Sequence, residues 1–420
     1  MGDAEKTELV KTLESGILSR FIGAWHEDFY GGPRVRELEK NWAAFYNVKH
    51  AIAVNSATSA LYAAVGAIGI NPGDEIIVSP YTMCASATAP LVYNAIPVFA
   101  DIEEDYFCLD AKSIEEKITP YTKAIIVVDI FGQPYDAEKI NALAKKHGLY
   151  VIEDCAQAPL AHYTLNGKKK FAGTLGDIGI YSLNYHKHIH CGEGGILVTD
   201  NDDIAEKLRL IRNHAEAVVG DKTPDISDAN LANMIGFNYR MPELEAAIVN
   251  EQLKKLPSLV DERLKNIQYL EKGLSAIPCL KMPKVRTGAT HSYYLHALRY
   301  DKAVAGIDRK QFVEAVKAEL MPIELRETEG VKVGAGYVKP LYYQPMFQRK
   351  IAFGTSGVPW SASFYKGDVS YNHGLCPTVE KMHFEEVIVH ELMRPGMTKA
   401  DLDDVIAAFT KVWENRHELK

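Results

Sequence analysis

Between Asn47 and Asp200 the chain repeats one pattern: a short apolar run, then a segment with helical spacing. Candidate strands are Ala51–Val54, Glu75–Ser79, Ile96–Ala100, Ala124–Val128, Tyr150–Glu153, Ile178–Ser182 and Gly195–Thr199. Candidate helices between them are Thr58–Ile68, Ser86–Asn94, Ala111–Ile118 and Ala137–Lys146. Short β-rich runs joined by amphipathic helices predict an α/β fold, a mostly parallel central sheet flanked by helices on both faces. Ligands of such sheets sit outside the carboxyl ends of the strands.

The pattern changes after Asp200. Ile204–Asn213 reads as a helix, and the polar stretch Glu216–Asp228, with Gly220, Asp221 and Pro224, as a mobile loop. Pro242–Leu256 has strong helical spacing and starts on a proline, which suits the first helical turn. A further helix, Pro257–Ile277, is expected to lead into a second domain. That domain carries a β segment near Tyr293–Tyr300, a helix at Arg309–Glu319 and a final helix at Lys399–Asn415, with Thr398 as its N-cap and Asp401 in its first turn. The division expected is residues 1–256, a large sheet domain with an N-terminal arm, and 257–420, a smaller α+β domain. Leu325–Tyr371 is irregular and rich in aromatics, Gly and Pro, as long functional loops are.

A chain of 420 residues is long enough for two packed domains. Its formal net charge of −8 argues against a non-specific nucleic-acid binder. Six cysteines (Cys84, Cys108, Cys155, Cys191, Cys279, Cys376) form no C-x-x-C pair; reduced, mostly buried thiols are expected, with no metal site. The polar N-terminus has no signal-peptide core, and no run approaches the roughly 18 apolar residues of a membrane helix. A cytoplasmic protein with no membrane partner is the expectation.

Lys187 lies in Ser182-Leu-Asn-Tyr-His-Lys-His-Ile-His-Cys-Gly-Glu-Gly-Gly195, between two candidate strands. Held on such a turn and partly dried, a lysine has a neutral, nucleophilic amine within reach near neutral pH. By itself it reads first as a surface lysine between strands, and only the neighbouring motifs reverse that. A second motif, Val151-Ile-Glu-Asp-Cys-Ala-Gln-Ala158, puts Asp154 at the carboxyl end of an apolar run, with Gln157 three residues on. A carboxylate there needs a cation, and a protonated pyridine nitrogen is one; the alternative is a cap for the following turn. A third, Val54-Asn-Ser-Ala-Thr-Ser-Ala-Leu61, joins a strand to a helix through small residues. Helix-start N–H groups and the hydroxyls of Thr58 and Ser59 suit a phosphate, or form a plain cap. Ser182 offers a further hydroxyl. In a fourth, Gly236-Phe-Asn-Tyr-Arg-Met-Pro-Glu243, Asn238 and Arg240 precede the strong helix. They read as an anion site or as solvated loop groups.

The ordered set NSATSAL, SPYTMCASATA, EDCAQA, GDIGIYSLNYHKHIHCGEGG and GFNYRMPELEAA resembles the DegT/DnrJ/EryC1/StrS family. These are sugar aminotransferases among the fold-type-I pyridoxal-phosphate (PLP) enzymes. The resemblance runs from Tyr30-Gly-Gly-Pro33 to Arg394–Asp401 and implies that residues 1–256 bind PLP. By this resemblance Lys187 forms the internal aldimine and shuttles a proton, with pyridoxamine phosphate as the intermediate form. Asp154 pairs with the pyridine nitrogen and Gln157 touches the ring-hydroxyl side. Ala57, Thr58, Ser59 and Ser182 surround the phosphate, and Asn238 reaches it from the partner subunit of a homodimer. Met83 stands where relatives stack an aromatic ring; its polarisable thioether covers a π face less rigidly.

One branch of the family replaces the lysine with histidine and dehydrates sugar nucleotides. Counting back from Gly192-Glu-Gly-Gly195 puts the lysine position on Lys187, not on His186 or His188. His186, His188 and His190 read either as strand-end groups with satisfied hydrogen bonds or as substrate contacts. Further expected substrate contacts are Gly31, Gly32, Pro33, Arg240, His291 and Tyr293, with Arg212 and His214 approaching. The reaction expected is transfer of an amino group from L-glutamate or L-glutamine to a keto group of a nucleotide-linked sugar. Alternatives are a keto-inositol acceptor, for which Cys376-Pro-Thr-Val-Glu-Lys-Met382 speaks, a PLP- or pyridoxamine-dependent dehydratase, and a non-catalytic regulator.

Overall fold

The computed structural model of the protein describes residues 1–222, 235–321 and 331–419. Seven strands build the large sheet: β1 (His50–Val54), β2 (Glu75–Val78), β3 (Ile96–Phe99), β4 (Thr122–Val128), β5 (Tyr150–Asp154), β8 (Ile178–Ser182) and β9 (Gly195–Thr199). Between β5 and β8 lies a small hairpin, β6 (His162–Leu165) and β7 (Lys168–Phe171), with an exposed lysine strand. The sheet order is β1-β9-β8-β5-β4-β2-β3. Five neighbouring strands are parallel, and β9 runs against both β8 and β1. β2 is buried throughout, as are nearly all of β4 and β5. Runs such as Ala124-Ile-Ile-Val-Val128 therefore suit a sheet covered on both faces better than one wetted on one side.

The helices Ala57–Ala67, Ala85–Val92, Ala111–Lys117, Ala137–His147 and Asp202–Arg212 all lie within about two residues of their expected bounds. Four of the five starts carry a side-chain cap. Asp136 caps Lys139 N at 3.1 Å, and Asn201 caps Asp203 N and Ile204 N at 2.9 and 3.0 Å. Of the loop expected at Glu216–Asp228, Ala215–Ala217 and Val219–Lys222 form short helical turns, and residues 223–228 lie outside the described residues.

One expectation is corrected. Pro242–Leu256 and Pro257–Ile277 are not two helices but one, Glu243–Leu274, with Pro257 inside it. Proline removes one hydrogen bond and crowds the preceding turn, at a cost of about 3 kcal/mol. Leu253, Leu256, Val260, Ile267 and Leu270 are buried on either side of it, and that apolar face keeps the helix whole. The helix packs on Asp3–Glu14, Pro33–Tyr46 and the final helix Lys399–Glu414. The division expected between 256 and 257 thus falls inside a helix.

The second sheet is antiparallel, in the order β10 (Leu280–Lys281), β11 (His296–Tyr300), β13 (Val387–His390), β12 (Val333–Ala335). Arg309–Glu319 and Lys399–Glu414 cover it, the latter capped by Thr398 and Asp401 as expected. The β segment expected from Tyr293 begins only at His296. Ser292 N and Leu295 N bond to the carbonyls of Gly132 and Phe131 (2.8 and 3.3 Å), not to a strand. Residues 341–371 return to the first sheet. Tyr342, Phe347 and Tyr371 pack around Phe99 of β3, and Tyr371 Oη donates to Pro97 O at 2.6 Å. β3 is the sheet's open edge, and this segment covers it. Residues 325–330 of the expected loop lie outside the described residues.

No helix among the described residues is long and apolar enough to cross a membrane. No cluster of His, Cys, Asp or Glu among them is arranged to hold a metal ion.

Candidate active site

β5 ends on Asp154, between β4 and β8 and at the carboxyl ends of all three strands. Its Oδ2 accepts from Ser86 Oγ at 2.9 Å, and its Oδ1 from Ala156 N at 3.2 Å. Burial pushes the carboxyl above its ordinary range, while Ser86, Ala156 N–H and the charge of Lys187 pull it down. Asp154 makes no ion pair with any described residue. A buried carboxylate so placed is poised for a cationic partner.

Lys187 follows β8 on a closed turn. Its N–H bonds to Asn184 O at 2.9 Å, and Asn184 Nδ2 donates to Glu193 Oε1 at 2.8 Å. Lys187 is half-buried. Burial lowers its pKa to about 8, with Asp154 acting the other way. Nζ lies 4.3 Å from the centre of the Tyr294 ring. Sequence reasoning chose Tyr293 instead. Tyr293, at φ 50°, turns its hydroxyl toward Glu271 Oε1 (3.4 Å) in the second core, so the next residue is the one that meets Lys187. A hydrogen-bonded link between residues 292–295 and the 130–132 turn produces this reversal, and no sequence periodicity marks it.

A third corner comes from register. Gly195 pairs with Val54 on one side and Ser182 on the other. A Cβ on Gly195 would stand 2.7 Å from Ala57 N and from the carbonyl of Ser56, so only glycine lets β9 approach the helix start this closely. Ser56 is the cap: its Oγ accepts from Ser59 N at 3.0 Å and meets Ser59 Oγ at 2.9 Å. Ser59 is thereby buried in the cap, the alternative reading of this turn. The first-turn amides of Ala57 and Thr58 have no intrahelical acceptor and remain half-exposed beside Ser182.

Several expected substrate contacts have other work. Gly32 is buried against the Glu243 carboxylate, which accepts from Arg34 N (2.7 Å) and Val35 N (3.4 Å) and so caps Pro33–Tyr46; Pro33 stands exposed at that helix start. Arg212 is fully buried, paired with Glu39 and bonded to Ala53 O at 3.0 Å. His291 is buried, accepts from Tyr293 N at 2.8 Å and stacks on that ring at 4.0 Å. His188 is buried with Nε2 against Ser292 O at 2.9 Å, and burial holds its pKa well below the ordinary value. Gly32, Arg212, His291 and His188 are thus engaged in packing and hydrogen bonds within the chain; for His188 this is the satisfied-hydrogen-bond alternative. His186 lies beside Tyr185 and Tyr294, at ring distances of 5.0 and 6.1 Å. Met83 is 53% exposed just before the helix that carries Ser86. His214 sits 3.9 Å from Glu216. Asn238 is exposed; its Oδ1 accepts from Arg240 Nε at 2.8 Å and its carbonyl from Asn55 Nδ2 at 3.4 Å. Besides Tyr294, sequence reasoning missed Ser86, Ser56 and Tyr337, whose hydroxyl accepts from Gln157 Nε2 at 3.0 Å.

A profile of the DegT/DnrJ/EryC1/StrS aminotransferase family matches residues 23–390. The chain belongs to this family. As a DegT/DnrJ/EryC1/StrS aminotransferase it is a PLP-dependent enzyme of fold type I. It is 32% identical over 410 residues to the spore coat polysaccharide biosynthesis protein SpsC of Bacillus subtilis, covering 97% of this chain and 94% of that one. It is 37% identical over 275 residues to the GDP-perosamine synthase of Caulobacter vibrioides, covering 65% and 71%. Its structure superposes on that of the aminotransferase from Psychrobacter cryohalolentis with a TM-score of 0.80 at 26% identity, covering 99% and 98%.

The residues present fit the family's cofactor. A buried carboxylate without a cation, an amine of lowered pKa and two outward helix-start amides beside a serine match a pyridine nitrogen, an aldehyde carbon and a phosphate.

Proposed function

We propose that this enzyme transfers an amino group from L-glutamate or L-glutamine to a keto group of a nucleotide-linked sugar, in a ping-pong exchange. PLP, when bound, supplies the electron sink that makes the donor's α-proton removable. Lys187 Nζ would be the group that holds the cofactor and that takes up and returns the proton beside it. An amine that loses its proton near pH 8 can both accept and return one in the neutral range. The hydrogen bonds of Ser86 and Ala156 N–H favour the charged form of Asp154 against its burial, and a protonated pyridine nitrogen would favour it further. The amides of Ala57 and Thr58, with Ser182, hold the phosphate.

The observation that carries the chemistry is the placement of Asp154 at the end of β5 and of Lys187 on the turn after β8, its parallel neighbour, near enough that each charge acts on the other's ionisation. It supports the lysine register over His188, which turns away to Ser292. The substrate class is supported by the likeness to a GDP-perosamine synthase. The stretch Cys376–Met382, which spoke for keto-inositols, is engaged in packing, where Thr378 N and Val379 N donate to Asp101 at 2.8 and 3.0 Å.

A homodimer completes the reading, with Asn238 reaching the partner's phosphate. Leu13, Leu18, Ile22 and Trp25 stand exposed along the N-terminal arm, and a second copy would cover them. The expected compartment is the cytoplasm. Incubating the PLP-loaded enzyme with glutamate or glutamine and a panel of keto-sugar nucleotides and keto-inositols, read by mass spectrometry, tests the substrate. An amino-sugar nucleotide is expected. A deoxy product, or amination of the inositols alone, contradicts the reading.

A further inference from the structure

Beside Gln157, which the family resemblance already sets against the ring oxygen of PLP, we propose that Tyr337 supplies a second donor to that same oxygen above Asp154. This rests on the PLP reading above.

Donors and acceptors around the pair can be counted. The amide of Gln157 has one accepting oxygen and two N–H groups. The oxygen takes the N–H of Phe131 at 2.7 Å, which decides which way the amide points, because an amide nitrogen cannot accept. One N–H goes to the Tyr337 hydroxyl oxygen at 3.0 Å. The second N–H meets no acceptor among the described residues, and neither does the hydroxyl's own proton. Burial raises the Tyr337 phenol above its ordinary pKa, and Asp154 acts in the same direction. The group is therefore a neutral donor throughout the working range, on the side where Asp154 is felt. Two uncommitted donors then stand side by side in a largely buried place. A negatively charged oxygen is the ligand atom that accepts from both.

Both donors are held rigidly. Tyr337 N donates to Tyr81 Oη at 3.1 Å. The Tyr337 ring meets Phe131 edge-on at 5.2 Å and Tyr81 at 5.8 Å. Phe131 is left-handed at φ 61°, a conformation bulky residues avoid; that turn aims its N–H at Gln157. Tyr337 follows β12, a strand of the second sheet, so one donor comes from each half of the chain.

Tyr337→Phe keeps the ring and removes only the hydroxyl. Wild type and variant are loaded with PLP, and the lysine-linked absorbance band is followed against pH. Losing a donor leaves more electron density on the ring oxygen and its conjugated nitrogen. The band's midpoint is expected to rise by about one pH unit, a tenfold gain in proton affinity. Gln157→Glu, which turns the pair's accepting side to the ligand, is expected to shift it in the same direction. The thermal midpoint of the cofactor-free variants checks that the fold is kept. An unchanged band in folded Tyr337→Phe overturns the proposal, whatever Gln157→Glu does, and with a raised KM for the keto acceptor alone it would place Tyr337 against substrate. If wild type takes up no PLP, the underlying reading fails instead.

Discussion

The amine of Lys187 lies 4.3 Å from the centre of the Tyr294 ring, on the side of the sheet where Asp154 ends β5. The ring excludes water from the amine, which favours the neutral form, while its π face stabilises the ammonium by about 0.5–1 kcal/mol. Burial wins, and the amine titrates at about 8. Tyr294→Leu keeps the apolar cover and removes the π face. The midpoint for reductive methylation of Lys187 in the cofactor-free enzyme is expected to fall by less than about one pH unit, from roughly 0.5–1 kcal/mol lost. A rise would mean that the ring mainly desolvates.

The same depression has a stability consequence. Lys187 loses its proton in the folded chain at about 8, against 10.5 ordinarily. Its contribution is present in full above 10.5 and is lost as the pH falls through 8. Cofactor-free wild type is expected to gain stability relative to Lys187→Met between those pH values, by at most on the order of 3 kcal/mol. Denaturant melts across that window measure it.

Asp154→Asn preserves shape and the Ser86 contact but removes the charge meant for the pyridine nitrogen. Turnover is expected to fall by about 10²–10³-fold, the usual loss of a pre-aimed electrostatic partner. The absorbance band should persist. A variant within threefold or so of wild type would exclude this role for Asp154.

Gly195→Ala drives a Cβ to 2.7 Å from Ala57 N and the Ser56 carbonyl. The backbone must move by enough to cost about 1–3 kcal/mol. The helix start shifts with it, so PLP affinity measured by equilibrium dialysis is expected to drop alongside thermal stability. Lost stability with unchanged affinity would separate this corner from the phosphate.

Much of this was legible beforehand. The seven strands of the large sheet, the lysine on its turn and the carboxylate at the end of β5 all follow from short-range pattern. What was not legible depends on contacts between distant segments. Pro257 reads as a helix break, yet the burial of Leu253, Leu256 and Val260 carries the helix through it. Tyr293 and Tyr294 are indistinguishable in sequence, and only the docking of residues 292–295 on the 130–132 turn separates them. Arg212 reads as a residue approaching the site because its partner Glu39 lies far away in the chain.

Arg212 also gives a clear stability test. Removing it strands the Glu39 carboxylate and the Ala53 carbonyl in the interior. Arg212→Ala is expected to cost about 3–5 kcal/mol, as broken buried pairs do, read by urea unfolding. A stable variant with only a raised KM would return Arg212 to the substrate pocket.

The claim on which the rest depends is that Lys187 is the residue that holds the cofactor. Borohydride reduction of the PLP-loaded enzyme, followed by digestion and peptide mass spectrometry, tests it directly. A phosphopyridoxyl group is expected on the peptide carrying Lys187, and none after Lys187→Ala. The label on another lysine, or its survival in that variant, would contradict this.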